Sequence, residues 1–289
     1  MIAQNGNRTG DDQSTNSYLA MVGDVHAELT RLQVQHRWIQ MCLKDKIAFA
    51  PVDLTKEELK ILDMGCADGT LLRDLQKQVP ASAQMVGADV STAFLPASAQ
   101  GNIRYVTQDV CDPPAAALRG QFDMTHVRNV LHSTQKSGIE QAVANLSDTL
   151  APGGWLQIME MDVTPGQPKQ PQALQDLIQI IGYMFEKQGL DRHYARKIPG
   201  SMKKAGLENV TVETVECGIG KVLGDDAAVR SSIEPFMHTI PLVARNANVM
   251  CPDLDPKILA NLEERYKTEM IEQGGYFPAQ IYYAQRPPA

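Results

Sequence analysis

A series of short apolar segments, separated in part by helical patterns, constrains this chain most and runs from residue 59 to residue 162. The strand-like segments are LKILDM, QMVGADV, IRYVTQDV, FDMTHVRNVL and WLQIMEMD, and the helical ones are GTLLRDLQKQV and IEQAVANLSDTL. Apolar strands that alternate with helices are typical of a parallel sheet covered by helices on both faces. The sequence therefore predicts an α/β chain with a Rossmann-like, doubly covered sheet.

The residues that precede this series show a different pattern. Residues 1–17 are polar and predict a disordered lead, whereas residues 18–52 predict an N-terminal helical lid with Asp24 as its N-cap. The apolar stripe of that lid helix, spaced by three and four residues, consists of Val25, Leu29, Leu32, Ile39 and Leu43. Because crossover helices already cover the predicted sheet, we expect this stripe to pack over the mouth of the site.

Two more strands are expected late in the chain, NVTVETVECGI and YFPAQIYYAQR. A Pro-rich connection, TPGQPKQPQ, and helical text precede the first of them, and a second helical block precedes the last. Residues 53–289 are therefore predicted to form one domain with a seven-stranded, mostly parallel sheet. Helical cap insertions are expected at about 165–205 and 225–275.

Composition narrows the range of partners and compartments. Of the 289 residues, 43% are hydrophobic and 21% charged, so the chain can bury a core without metal or disulfide support. The five cysteines show no CxxC spacing, which predicts a reducing compartment and no metal site. A net charge of −7 argues against nucleic acid and anionic lipid as partners. Without an apolar run of about 20 residues, we expect a cytoplasmic chain with no membrane contact.

The ends of the predicted strands define a candidate site, because ligands of open parallel sheets bind beyond the carboxyl ends of the strands. The first strand ends in DMGCADG, where small residues allow a ligand to approach the backbone. Thr70 occupies the position at which the nicotinamide dinucleotide fingerprint requires Gly or Ala, which argues against a nicotinamide-dependent dehydrogenase. The second strand ends at Asp89, suited to ribose hydroxyls, and the third at Asp109, suited to an adenine amino group.

The motifs DMGCADG, GADVS, QDV, FDMTHVRNVLH and LAPGGWLQIME resemble those of class I S-adenosylmethionine-dependent methyltransferases over about residues 55–165. More loosely, ELTRLQVQHRWIQ and GADVSTAFLP resemble fungal methyltransferases of secondary metabolism, a group that includes a global regulator with this fold. The resemblance implies S-adenosyl-L-methionine as cofactor. The cofactor-binding residues that it implies are Asp63, Gly65, Ala67 and Gly69 for the methionine part, Asp89 with Val90 for the ribose, Asp109 with Val110 for the adenine, and Arg128 and Asn129 beneath the sulfonium. Ala67 departs from the glycine that the family usually carries and narrows the space for the methionine part.

Further residues are candidates for contact with the substrate that would accept the methyl group. His132, after the fourth strand, is the candidate general base, needed only if the nucleophile starts protonated. Candidate substrate residues are Glu160 at the end of the fifth strand and His193 and His238 in the insertions, and Tyr18 could reach the cofactor from the lid. His36 interrupts the lid stripe and predicts a buried, hydrogen-bonded histidine.

The resulting hypothesis is methyl transfer to an oxygen or nitrogen of a small, largely apolar metabolite. Two alternatives stay open. One is a pericyclase-like enzyme that binds the same cofactor without transferring its methyl group, and the other is a non-catalytic regulator with the same fold. The sequence leaves the oligomeric state open between monomer and homodimer.

Overall fold

The computed structural model describes residues 22–163 and 170–289, so the predicted lead and Tyr18 lie outside the described residues. Its seven-stranded sheet has the order β3-β2-β1-β4-β5-β7-β6. Strands β1 to β5 pair in parallel, and β7 is antiparallel to both of its neighbours. The strands are β1 Lys60–Met64, β2 Gln84–Asp89, β3 Ile103–Thr107, β4 Phe122–Arg128, β5 Leu150–Met161, β6 Glu208–Ile219 and β7 Gly275–Gln285. The predicted mostly parallel α/β sheet is confirmed.

Helices cover both faces of the sheet and one end of it. They are α1 Val25–Leu43, α2 Thr70–Leu75, α3 Gly138–Ser147, α4 Gln172–Lys187, α5 Ile198–Lys204, α6 Asp226–Met250, α7 Pro256–Leu259 and α8 Leu262–Glu272. Helices α3 and α5 share one core with the sheet, and α2 shares a second core on the opposite face. Across the described ranges, none of the helices has the length and apolar character needed to span a bilayer.

A third core is formed by the cap, which we define as helices α1, α4, α6 and α8. These helices pack on the ends of β5, β6 and β7, with side chains such as Phe277 and Ile281 facing them from the last strand. The first cap insertion was expected to extend to about residue 205. Its last helix, α5, instead covers the sheet, because Ile198 and Met202 are buried in the same core as Ile158 of β5.

Helix α1 begins as predicted, with the carboxylate of Asp24 accepting hydrogen bonds from the backbone N–H groups of His26 and Ala27. Its buried face matches the predicted stripe only at Ile39 and Leu43. Val34, Trp38, Ile39 and Leu43 are buried, whereas Val25, Leu29 and Leu32 are only half-buried. The helix packs against α6 and β6. Its first turns therefore pack less deeply than its last ones.

The segment between α1 and β1 is fixed to the sheet by one side chain. Gln157 of β5 accepts hydrogen bonds from the backbone N–H groups of Phe49 and Ala50, at 2.6 and 3.0 Å, and donates one to the carbonyl oxygen of Ile47 at 2.7 Å. Gln157 is buried, so each of its polar atoms needs such a partner. The anchored segment holds the C-terminal end of α1 over the sheet.

Candidate functional site

A cavity of about 860 Å³ lies between the carboxyl ends of the central strands and the cap. Asp63, Asp89 and Asp109, at or just after the ends of β1, β2 and β3, all line it. The three strands are neighbours in the sheet, so their carboxyl ends meet at one edge. The structure thus brings together the three carboxylates that the sequence identified separately.

The turn after β1 forms the floor of this cavity. Gly65 has a φ of +78°, and a Cβ at that position would overlap the side chain of Val130. Gly69 also has a positive φ, and there a Cβ would overlap the Tyr105 ring. Gly65 and Ala67 line the cavity, whereas Gly69 does not: it is the N-cap residue of the short helix α2. The two glycines are therefore required by close packing as well as by backbone conformation.

Ala67 adopts a left-handed conformation, with φ of +47°. That conformation costs an L-residue about 1–2 kcal/mol, a cost that glycine avoids. We therefore expect Ala67→Gly to raise the free energy of unfolding by ~1 kcal/mol, measured by denaturant titration, with cofactor binding retained. Ala67→Val should instead destabilise the protein, because a β-branched residue is strongly disfavoured at positive φ. An Ala67→Gly variant of lower stability would contradict this interpretation of the turn.

The Asp89 carboxylate organises the ribose side of the cavity. One oxygen accepts a hydrogen bond from the backbone N–H of Ala67 at 3.0 Å, and the other accepts one from the N–H of Ser91 at 2.9 Å. Burial raises the pKa of Asp89. The hydroxyl of Ser91 is buried in the wall of the cavity and has no hydrogen-bond partner among the described residues. Free acceptor positions on Asp89 beside an unpaired hydroxyl fit a ligand with vicinal hydroxyl groups.

The other two carboxylates are held by different contacts. Asp63 is buried and lies 2.8 Å from Nδ1 of His126 in β4. Asp109 accepts a hydrogen bond from the backbone N–H of Cys111 at 2.8 Å and lies 3.5 Å from the Lys136 ammonium. Val110, next to Asp109, is buried and presents an apolar surface in the cavity wall. Both carboxylates are thus fixed in place and reach the cavity.

Arg128, at the end of β4, connects helix α1 to the sheet. Its guanidinium donates to Nδ1 of His36 at 2.8 Å, and Nε2 of His36 lies 2.8 Å from the carboxylate of Asp74 in α2. Burial lowers the pKa of Arg128 to about 10 and also lowers the pKa of His36. His36 therefore has both ring nitrogens hydrogen-bonded. Arg128 and Asn129, which has a φ of +54°, both line the cavity.

His132 lies in the 3₁₀ turn Leu131–Ser133 after β4 and reaches the cavity. Its ring stacks on Phe185 of α4, with centroids 5.4 Å apart and planes 20° apart. Burial lowers the pKa of His132 to about 4, and the positive charge of Arg31 adds to that effect. The imidazole is therefore neutral near neutral pH and a weak base there.

Glu160, at the end of β5, is fully buried and lines the same cavity. Its Oε1 accepts hydrogen bonds from the backbone N–H groups of Val130 and Leu131, at 3.0 and 2.9 Å. Its Oε2 accepts one from the hydroxyl of Tyr194 at 2.8 Å. Burial raises the pKa of Glu160 to about 7, although these three donors act in the opposite direction. The sequence did not identify Tyr194 as a residue of the site.

The cap supplies an apolar outer wall that the sequence did not identify. Its side chains lining the cavity include Trp38 from α1, Leu177, Ile181, Met184 and Phe185 from α4, and Phe236, Leu242 and Val243 from α6. On α6, the lining residues Phe236, Thr239 and Val243 are spaced by three and four positions, which places them on one face of the helix. The sequence of the two insertions predicted helices but did not show which face of each helix would contact a ligand.

Two predicted substrate residues do not reach the cavity. His238 is exposed on α6, because it lies on the side of the helix away from the face that carries Phe236 and Val243. His193 immediately precedes the 3₁₀ turn Tyr194–Lys197, and its neighbour Tyr194 takes the inward position. Tyr194 therefore replaces His193 as the residue of this segment that meets the cavity.

Comparisons with known proteins agree with this geometry. A family model described as a methyltransferase domain matches residues 33–212. The N-methyltransferase sirN of Leptosphaeria maculans is 32% identical over 254 residues, which is 88% of each chain. The methyltransferase psoC of Aspergillus fumigatus is 29% identical over 259 residues, 90% of this chain and 94% of the relative.

A solved structure shares the fold. The phosphoethanolamine N-methyltransferase 2 of Haemonchus contortus, in complex with S-adenosylhomocysteine, superposes with a TM-score of 0.53 at 14% identity. The similarity covers 96% of this chain and 60% of that one.

Proposed function

The chain is an S-adenosylmethionine-dependent methyltransferase, and we propose that it transfers the methyl group to a nitrogen of a small, largely apolar molecule. The cofactor supplies an electrophilic methyl group on a sulfonium that is already a good leaving group. The task of the protein is then to bind the cofactor, align the acceptor with the methyl group and exclude water.

The inner half of the cavity supports the assignment of cofactor contacts. Asp89 with the unpaired hydroxyl of Ser91 would hold the ribose, and Asp109 with Val110 would hold the adenine. The methionine part would lie along Gly65 and Ala67 with its amino group toward Asp63. Arg128 and Asn129 are proposed to lie beneath the sulfonium.

The apolar outer half of the cavity is the observation that carries the proposed acceptor class. Leu177, Ile181 and Met184 of α4 face Phe236 and Val243 of α6 across a space continuous with the cofactor half. Such walls favour an apolar body, whereas a phosphorylated or polyanionic acceptor would lose hydration without compensation. Nitrogen as the acceptor atom is supported by the name of the relative sirN, an N-methyltransferase.

The test uses the full chain and the cofactor labelled with ¹³C in its methyl group. It is incubated with a panel of apolar secondary amines, amides and phenols, followed by mass spectrometry and ¹³C NMR of the products. We expect an N-methyl product together with stoichiometric S-adenosylhomocysteine. An O-methyl product would overturn the choice of nitrogen. Cofactor binding without any methylated product would favour the pericyclase-like or regulatory alternatives.

A further inference from the structure

We propose that Tyr194 and Glu160 form a proton relay that removes the proton from the acceptor nitrogen. This inference rests on the proposed N-methylation and adds two residues to its machinery. In the relay, the Tyr194 hydroxyl takes the proton from the acceptor and passes its own proton to Glu160. Tyr194 has no role in the motif resemblance, and His132 was the candidate base.

The hydrogen bonds of Glu160 give the relay its direction. Both backbone donors, Val130 and Leu131, bind Oε1, so that oxygen faces the loop after β4. Oε2 receives the hydroxyl of Tyr194. Both side chains line the cavity, and each is buried. A proton leaving the acceptor can therefore reach Oε2 through one hydroxyl group, with no movement of the carboxylate.

The surroundings of Glu160 allow it to accept that proton. Within the described part of the chain, no cationic side chain forms an ion pair with it. Besides Tyr194, the titratable groups near Glu160 are Asp162 after β5 and Tyr282 of β7. The positive charge of Arg196 acts on Tyr282, whose pKa it lowers. Burial without a compensating cation favours the neutral form of a carboxyl group.

The neighbouring His132 is less suited to the same task. The pKa of His132 is lowered to about 4, whereas that of Glu160 is raised to about 7. A proton acceptor works best when its pKa lies near the operating pH. His132 stacks on Phe185 and lines the cavity, so in this proposal it would position the acceptor and not deprotonate it.

The chemical step balances as follows. The lone pair of the acceptor nitrogen forms the new N–C bond, and the electron pair of the breaking C–S bond stays on sulfur. The nitrogen proton moves to the oxygen of Tyr194, and the hydroxyl proton of Tyr194 moves to Oε2 of Glu160. The result is a neutral N-methyl product, a regenerated Tyr194 hydroxyl and a protonated Glu160 that later returns its proton to water.

The test compares Glu160→Gln and Tyr194→Phe with the unaltered enzyme. Glutamine keeps an oxygen for the two backbone donors and an amide that can donate to Tyr194, so the loop stays in place but the base is lost. We expect kcat of the unaltered enzyme to rise with pH through about 7. Each variant should lose about 10²-fold or more in kcat, with a flat pH profile. The double variant should lose little more than either single one.

A matched pair elsewhere in the chain serves as the control. Tyr283 of β7 donates to the carboxylate of Glu213 in β6 at 2.8 Å, and neither residue lines the cavity. Glu213→Gln and Tyr283→Phe should keep the kcat and the pH profile of the unaltered enzyme. Calorimetry with S-adenosylhomocysteine should give the same affinity for all four single variants, which separates a lost proton acceptor from a misfolded site.

A second measurement needs no turnover. Infrared difference spectra of the protein without ligands should show a buried carboxyl band that titrates near pH 7 and is absent in Glu160→Gln. The relay is overturned if Glu160→Gln methylates the nitrogen acceptor at the normal rate, or if its pH profile matches that of the unaltered enzyme. Failure of the unaltered enzyme to methylate any nitrogen acceptor would instead overturn the proposed function.

Discussion

Asp89→Ala is expected to weaken binding of S-adenosylhomocysteine by about 10²- to 10⁴-fold. The carboxylate would accept two ribose hydroxyls, and each hydrogen bond to a charged group contributes about 1.5–3 kcal/mol. Asp89 also holds the backbone N–H groups of Ala67 and Ser91, so its loss loosens the turn that the cofactor contacts. Isothermal calorimetry with the folded variant measures the change directly.

Asp112→Ala is the matched control for this prediction. Asp112 lies three residues after Asp109 and is half-exposed; its carboxylate contacts the Lys136 ammonium at 2.7 Å, and Asp112 itself does not line the cavity, although Lys136 does. Its removal should leave the affinity unchanged. Ser91→Ala should give a smaller loss than Asp89→Ala, because it removes one uncharged hydroxyl. If the Asp89 variant folds and binds as tightly as the unaltered protein, the ribose contact lies elsewhere.

The sheet could be predicted from sequence because each strand carries a short-range signal. Segments such as KILDM and QMVGAD are almost entirely buried, and buried parallel strands give continuous apolar runs. Strand order and the carboxyl-end site then follow from the topology of such sheets. That is why Asp63, Asp89 and Asp109 could be assigned to one site before their contacts were known.

The outer half of the site could not be predicted in the same way. An amphipathic helix shows that it has a buried face, but its sequence does not distinguish a face against the core from a face against a ligand. Phe236 and His238 lie two positions apart on α6, and of the two only Phe236 reaches the cavity. Tyr194 is identified as a site residue by its hydrogen bond to Glu160, which lies 34 positions earlier in the chain, and a contact over that distance leaves no local pattern in the sequence.

Helix α1 shows how long-range contacts shift a predicted stripe. The sequence predicted a stripe that includes Val25, Leu29 and Ile39, and of these three only Ile39 is deeply buried. Trp38, which is as deeply buried as Ile39, was not part of the predicted stripe. The difference arises because the last turns of α1 meet α6 and β6, whereas Leu32 in its middle lines the cavity. The lid function of α1, predicted from its place in the chain, remains a prediction that Trp38 makes testable.

Trp38 is the main anchor of α1. Its indole N–H donates to the carbonyl oxygen of Gly218 at 3.0 Å, and its ring meets Phe236 of α6 edge-on with centroids 5.0 Å apart. Phe236 in turn contacts Tyr266 of α8 and Phe277 of β7. Trp38 thus links α1 to α6 directly and, through Phe236, to α8 and β7. Trp38, Phe236 and Phe277 all line the cavity.

Trp38→Ala should therefore lower the free energy of unfolding by about 3–5 kcal/mol, the cost of removing a large buried aromatic ring. It should also release α1 and abolish turnover. Trp38→Phe keeps an aromatic ring and loses the hydrogen bond to Gly218, for which we expect a loss of about 1 kcal/mol. Trp155 of β5 is half-buried against Tyr283, away from the cavity. Trp155→Ala should cost less stability and leave the lid in place.

Limited proteolysis distinguishes a lid from a passive part of the core. In the unaltered protein, cleavage between residues 22 and 45 should slow when S-adenosylhomocysteine is bound, because a closed lid opens less often. In Trp38→Ala, cleavage there should be fast with or without the ligand, whereas Trp155→Ala should keep the protection. Since the chain has two tryptophans, a Trp155→Phe background leaves Trp38 as the single fluorescent reporter of closure. Equal cleavage rates and an unchanged Trp38 spectrum on ligand binding would show that α1 is a fixed wall of the cavity.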